Sequence, residues 1–121
     1  MKLPLFYENS KIPVILSYFA PIEIGAITLG PFVFSRGVMS DVTKNHEAIH
    51  WEQYKELFII GFLVMYLFFW VRGLIRYKDG KIAYAMIPFE QEAYACDQDM
   101  VYILNRKKYA WLQYGMPRNL D

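Results

Sequence analysis

The sequence predicts an α+β fold in which a small, irregular N-terminal β layer is followed by a helical part built on two main helices. Three observations carry that prediction. The first forty residues are rich in β-branched and aromatic side chains and are cut by Pro and Gly, as short strands are. From Ser40 the pattern changes to one polar, capped stretch with helical period that runs to Glu56. After a turn at Lys78-Asp79-Gly80, Pro88 opens a second helical stretch. The 121 residues fit one domain, 1–121, with a single modest core. Hydrophobic residues make up 55% and aromatic residues 18%, so the chain is either densely packed or partly covered by lipid or a partner.

Taken in order, the opening Met1-Lys2-Leu3-Pro4-Leu5-Phe6-Tyr7 is too short and too broken by Pro4 for the apolar part of a signal peptide, and the compartment expected is cytoplasmic or membrane-associated. Residues 12–19 are read as extended, with Pro13 confining a strand to an edge or to a start after it. Residues 22–29 alternate loosely, as a half-buried strand does, Gly30-Pro31 marks a turn or bulge, and Phe32-Val33-Phe34-Ser35-Arg36 resumes the extended pattern. Ser40 and Asp41 are N-cap candidates for the next helix. The uncharged run 57–71, opening at Leu57 and closing at Val71, would span about 22 Å as a helix, short of a ~30 Å hydrocarbon core. It is therefore expected to be buried or to lie at a membrane surface, with Gly61 as the place for a bend. In the second helix Glu90, Ala93, Tyr94 and Asp97 share a face, and Glu92 points elsewhere. Residues 107–114 form a last short helix in which Tyr109, Trp111, Leu112 and Tyr114 pack back, stopped by Gly115, Met116 and Pro117.

Both histidines lie in His46-Glu47-Ala48-Ile49-His50, the pattern H-E-x-x-H. On a helix the i, i+4 spacing stacks the two imidazoles on one face, where both can offer lone pairs to one Zn²⁺. Glu47 lies about 100° around from His46, too far to be a ligand and near enough to reach a water held by the metal. Its role is then that of general base in a hydrolytic reaction. Catalytic zinc usually has three protein ligands. With no third histidine and with Cys96 read as a small, half-buried apolar residue, the third must be a carboxylate, for which the helix after Pro88 supplies the candidates.

His46-Glu47-Ala48-Ile49-His50 followed some forty residues later by Glu90-Gln91-Glu92-Ala93-Tyr94 resembles the gluzincin metallopeptidases, and within them the membrane metallopeptidases of the CAAX-prenyl-protease and heat-shock-protease type. Those carry H-E-x-x-H and a later E-x-x-A-D whose glutamate is the third zinc ligand. The resemblance thus implies a minimal zincin-like domain with His46, His50 and Glu90 on Zn²⁺ and Glu47 activating water against a peptide or protein substrate. Tyr94 stands where that family has aspartate, and Asp97, one turn on, is the substitute. The order I-T-x-G-P-F-x-F, H-E-x-x-H-x-x-Q, apolar helix, P-F-E-x-E-A-Y also resembles a group of small bacterial and phage-type proteins, which adds weight to the metal site and implies no substrate.

Around the motif, Gln53 is read as a hydrogen-bond partner of the site or else a helix-capping surface residue, Tyr84, Tyr94 and Tyr114 as candidate donors to an oxyanion, and the strand near Phe32 to Ser35 as an edge that an extended peptide could join or else as plain sheet packing. Thirteen basic residues against twelve acidic ones give no reason to invoke nucleic acid, and the basic run Asn105-Arg106-Lys107-Lys108 reads as a solvated helix end. The competing class is a non-catalytic small protein, stapled by its metal, that acts through the apolar surface of residues 57–71 on a membrane or a partner.

Overall fold

The computed structural model describes residues 3–18 and 24–114. Its elements are β1 (Leu5–Tyr7), α1 (Ile12–Ser17), β2 (Ala26–Leu29), β3 (Phe32–Ser35), α2 (Asp41–Glu56), α3 (Ile60–Tyr77), α4 (Gly80–Ala85), α5 (Pro88–Cys96) and α6 (Tyr102–Asn105), followed by a 3-10 helix, Ala110–Tyr114. The architecture is α+β, a three-stranded mixed sheet carrying helices. Strand order is β1-β3-β2, with β1 parallel and β2 antiparallel to β3, and Val33 paired with both Phe6 and Thr28. Gly30 makes the β2–β3 connection at φ 63°, a left-handed conformation that glycine adopts without steric cost.

Two expectations for this layer are corrected. The stretch from Ile12, read as extended, is helical, because Pro13 falls in the first turn, where its fixed φ and missing N–H suit a helix, and the Ser10 hydroxyl accepts from the Ile12 N–H. The strand around Phe32 to Ser35 is central, so its backbone pairs on both sides and no peptide can join it; β1 and β2 are the edges among the described residues. Phe19, Ile22 and Glu23, assigned to the two extended stretches, lie outside the described residues, as do Gly115, Met116 and Pro117.

The capping prediction for α2 resolves to Ser40, whose hydroxyl accepts from the Thr43 N–H. The helix does not continue into the apolar run. Phe58 and Ile59 both take positive φ, 58° and 66°, and the Ile59 N–H closes α2 on the Tyr54 carbonyl. The break thus precedes Gly61, which sits in the first turn of α3. From there α3 runs 18 residues, past Val71 to Tyr77, or about 27 Å. Lys78 ends it in the left-handed conformation, and the Asp79 carboxylate caps α4 by accepting from the Lys81 and Ile82 N–H groups. A side chain at Gly73 would meet Ala83 Cβ at 2.9 Å, so glycine sets the close crossing of α3 and α4.

Pro88 occupies the first turn of α5 as expected. The core is an aromatic stack, with Tyr54 on Phe62 at 3.9 Å, Phe62 on Phe89 at 4.5 Å and Phe89 against Trp111 at 4.8 Å between ring centres, joined by Ile87. It ties α2, α3, α5 and the tail together. Around the 3-10 helix Trp111 is buried and Tyr114 half-buried, while Tyr109 and Leu112 are exposed, so the predicted packing holds for part of that face. Arg106 is also corrected. Its side chain is buried, held by Glu56 at 2.7 Å and Glu92 at 2.5 Å, and is not part of a solvated helix end.

Candidate metal centre

Helical spacing in α2 brings the His46 and His50 rings to 4.9 Å between centres, and α5 lays Glu90 across both. His46 Nε2 and His50 Nε2 are each 3.1 Å from Glu90 Oε1. One ligand atom from each residue lies within 4.8 Å of the others, and all three residues are buried. Around a tetrahedral zinc with bonds near 2.0–2.1 Å, neighbouring ligand atoms sit about 3.3–3.5 Å apart. The two Nε2–Oε1 distances lie within a few tenths of an ångström of that spacing, so the three residues are placed to hold such an ion.

The other ring nitrogens are fixed by acceptors. His46 Nδ1 faces Asp97 Oδ2 at 3.1 Å and His50 Nδ1 faces Gln53 Oε1 at 2.7 Å. The Gln53 amide cannot turn over, because its NH₂ donates to the Phe89 carbonyl and to Glu92 Oε1, each at 3.0 Å. Both Nδ1 atoms must then carry hydrogen, which directs the Nε2 atoms at Glu90 as metal donors. Asn45 fastens the end of α5 by donating to the Asp97 and Asp99 carbonyls. The sequence reading of Gln53 and Asp97 as supports of the site matches these contacts.

Glu92 does point away from the ligand cluster, yet it is fully buried. It receives Gln53 and Tyr102 and is paired to Arg106, whose guanidinium also holds Glu56. A continuous polar chain, His50–Gln53–Glu92–Arg106–Glu56, thus anchors the ligand helix to the segment after α6. Sequence reasoning missed this because the i, i+3 relation of His50 to Gln53 is local, whereas Arg106 lies 50 residues from Glu56.

Glu47 stands beside the cluster and outside it. Its Oε2 is 3.9 Å from His46 Nε2, while Oε1 accepts a 2.8 Å hydrogen bond from the Thr28 hydroxyl of β2. Thr28 was missed as one residue of a loosely alternating strand. Tyr66 was missed too, although as the one phenol in the uncharged run it carried a signal; its hydroxyl donates to Glu90 Oε2 at 2.7 Å. Tyr84 donates to Glu90 Oε1 at 3.1 Å and pairs with Tyr94 at 2.9 Å. Tyr114 stands off, its hydroxyl 4.0 Å from Cys96 Sγ.

Without an ion, the cluster draws positive charge as a proton. Burial works against an imidazolium at His50, but the Glu90 charge and hydrogen bond, with Glu47 and Gln53, lift it to about 9. Burial likewise opposes a charged Glu90, and the two imidazoles overcome it and hold the carboxyl well below its usual range. Burial and the Glu90 charge push Tyr66 and Tyr84 up, so both remain hydrogen-bond donors.

Two clefts meet at this cluster. One, of about 300 Å³, is apolar and lies between β2 and α3, with Ile27, Leu29, Phe62, Leu63 and Leu67 in its walls. The other, of about 740 Å³, is more polar and runs past Arg36, Thr43 and Asp97. Ile24, Ala26, Glu47 and Tyr84 line both. Comparison of the chain with family models, with curated proteins and with solved structures finds no match.

Proposed function

We propose that the protein is a zinc-dependent hydrolase, a minimal metallopeptidase of the gluzincin kind acting on a peptide or protein. The observation that carries this reading is the division of labour among four buried groups. His46, His50 and Glu90 converge as ligands, while Glu47 is held out of the ligand set by Thr28 and faces the junction of two clefts. A zinc ion held by the three ligands would supply Lewis acidity, polarising a carbonyl and acidifying water. Glu47 accepts the proton of the attacking water and returns it to the leaving amine. The Thr28 hydroxyl fixes the Glu47 carboxylate through Oε1 and leaves Oε2 for that proton. Among the three tyrosines named from the sequence, Tyr84 is the one in both clefts, and its phenol gives up its hydrogen bond to Glu90 to donate to the carbonyl oxygen as charge gathers there. The β2 edge beside Glu47 offers backbone groups to an extended substrate.

The non-catalytic reading, a metal staple acting through an apolar surface, draws support from the exposed apolar face of α3. It gives Glu47 no task. Zinc-loaded protein incubated with an unfolded protein such as reduced casein tests the choice, with new termini counted by mass spectrometry. Hydrolysis that needs zinc and the Glu47 carboxylate is expected; no cleavage at any zinc loading, or cleavage indifferent to Glu47, removes the peptidase reading.

A further inference from the structure

The outer face of α3 inverts the usual order of a folded protein. Ile60, Leu63, Val64, Leu67, Phe68, Val71 and Ile75 are exposed, and by helical period they fall in one arc roughly 140° wide. The helix carries no acidic residue, and it is apolar enough to cross a membrane by length and composition, with Phe62 and Gly73 its buried residues. Its opposite face is a protein face from end to end. Phe62 stacks on Tyr54, Tyr66 bonds Glu90, Phe69 meets Trp111, and Gly73 packs on Ala83. Only one side is therefore open to lipid, which is the geometry of a helix lying in the interface plane.

Charge and backbone point the same way. Arg72 and Arg76 lie beyond one edge of the arc, with Arg72 folded over the Phe69 ring at 5.0 Å and Arg76 over Tyr77 at 5.7 Å, as cationic side chains at a headgroup layer lie along apolar surface. Lys78 and Lys81 extend this basic end, where the one acid, Asp79, is engaged in capping α4. At the other end the positive φ of Phe58 and of β-branched Ile59 is costly, and the result is Phe58 standing 88% exposed beside Ile60 at 70%. Leu63 and Leu67 belong both to the exposed arc and to the wall of the apolar cleft. The cleft thus opens onto that face.

We infer that the outer face of α3, with the Phe58–Ile60 tip, seats in the plane of a bilayer that carries anionic headgroups, and that the apolar cleft beside Glu47 opens toward the lipid. The use of that opening as a substrate entrance rests on the hydrolase reading; the seating does not. Flotation with vesicles reads the seating without any hydrolysis. Wild-type protein should float with phosphatidylcholine vesicles containing phosphatidylglycerol, several-fold less with phosphatidylcholine alone, and at least tenfold less when Val64→Ser and Phe68→Ser are combined. A dye sensitive to polarity at Leu67→Cys, in a Cys96→Ser background, should shift to the blue on adding vesicles, and the same dye at Lys11→Cys should not. Wild type left unbound, or flotation indifferent to the double variant, overturns the proposal. So does a soluble dimer, seen by ultracentrifugation, that the double variant dissolves, and so does protein that only detergent removes from vesicles at high pH, since that marks a crossing helix.

Discussion

Helices α2 and α3 follow one another and obey opposite rules. The buried face of α2 is polar, with His46, Glu47, His50 and Gln53 inside, whereas the exposed face of α3 is apolar, with Leu63, Val64, Leu67 and Phe68 outside. Each inversion is costly unless something compensates it. For α2 the compensation is internal and nearly complete: each polar side chain on that face has a partner, and the convergence of two imidazoles with a carboxylate leaves room for a cation. For α3 no side chain among the described residues covers the arc. On the proposed readings, the difference teaches that polar burial serves chemistry and apolar exposure serves location.

The largest effect should come from the α2 side. Glu47→Gln keeps size and hydrogen-bonding capacity but cannot take a proton, so hydrolysis should fall by about 10²–10⁴ while zinc content stays near one per chain. Parallel rate and metal measurements check it; full activity in the variant would break the division between ligand and base. Next, Arg106→Met leaves Glu92 and Glu56 buried without their counter-ion and should cost about 3–5 kcal/mol, read by chemical denaturation. A cost below about 1 kcal/mol would mean that the polar chain behind His50 does not support α2.

The third effect depends on pH. The His50 pKa in the metal-free fold is raised to about 9 from 6.5, so the bound proton stabilises fully below pH 6.5 and its contribution is lost as pH rises through 9. Metal-free protein should lose up to about 3 kcal/mol across that window, and zinc-loaded protein should lose much less because the ion has replaced the proton. Thermal melts at pH 6.5 and 9, with and without zinc, give the comparison. The smallest effect belongs to α3. Phe68→Ala, on the exposed arc, should change stability by no more than about 0.5 kcal/mol, against about 3–5 for Phe62→Ala in the stack. Equal costs would show the arc to be covered within the soluble protein.

These contrasts also explain what could be read from the sequence. Ser40 as cap, Pro88 at the start of α5 and the pairing of His46 and His50 follow from local chemistry with fixed spacing, and they appear in the fold at those positions. The helix at Ile12–Ser17 was not legible, since its β-branched residues favour a strand and only its neighbours decide otherwise. Nor was the break at Phe58 and Ile59, where neither Gly nor Pro marks the positive φ. Strand order was hidden because the parallel pairing of β1 with β3 has no turn to announce it. The supports from Thr28, Tyr66 and Arg106 reach the site across 19, 24 and, through Glu92, 14 residues, distances at which residue type alone says nothing of contact.

The central claim is that His46, His50 and Glu90 form a metal site, and calorimetric titration of chelator-treated protein with Zn²⁺ tests it most directly. Wild type and Glu47→Gln should each take up about one zinc per chain, and Glu90→Gln, which loses the anionic ligand shared by both imidazoles, should bind at least about tenfold more weakly. Wild type that takes up no zinc, or Glu90→Gln that binds it as tightly as wild type, would contradict the account.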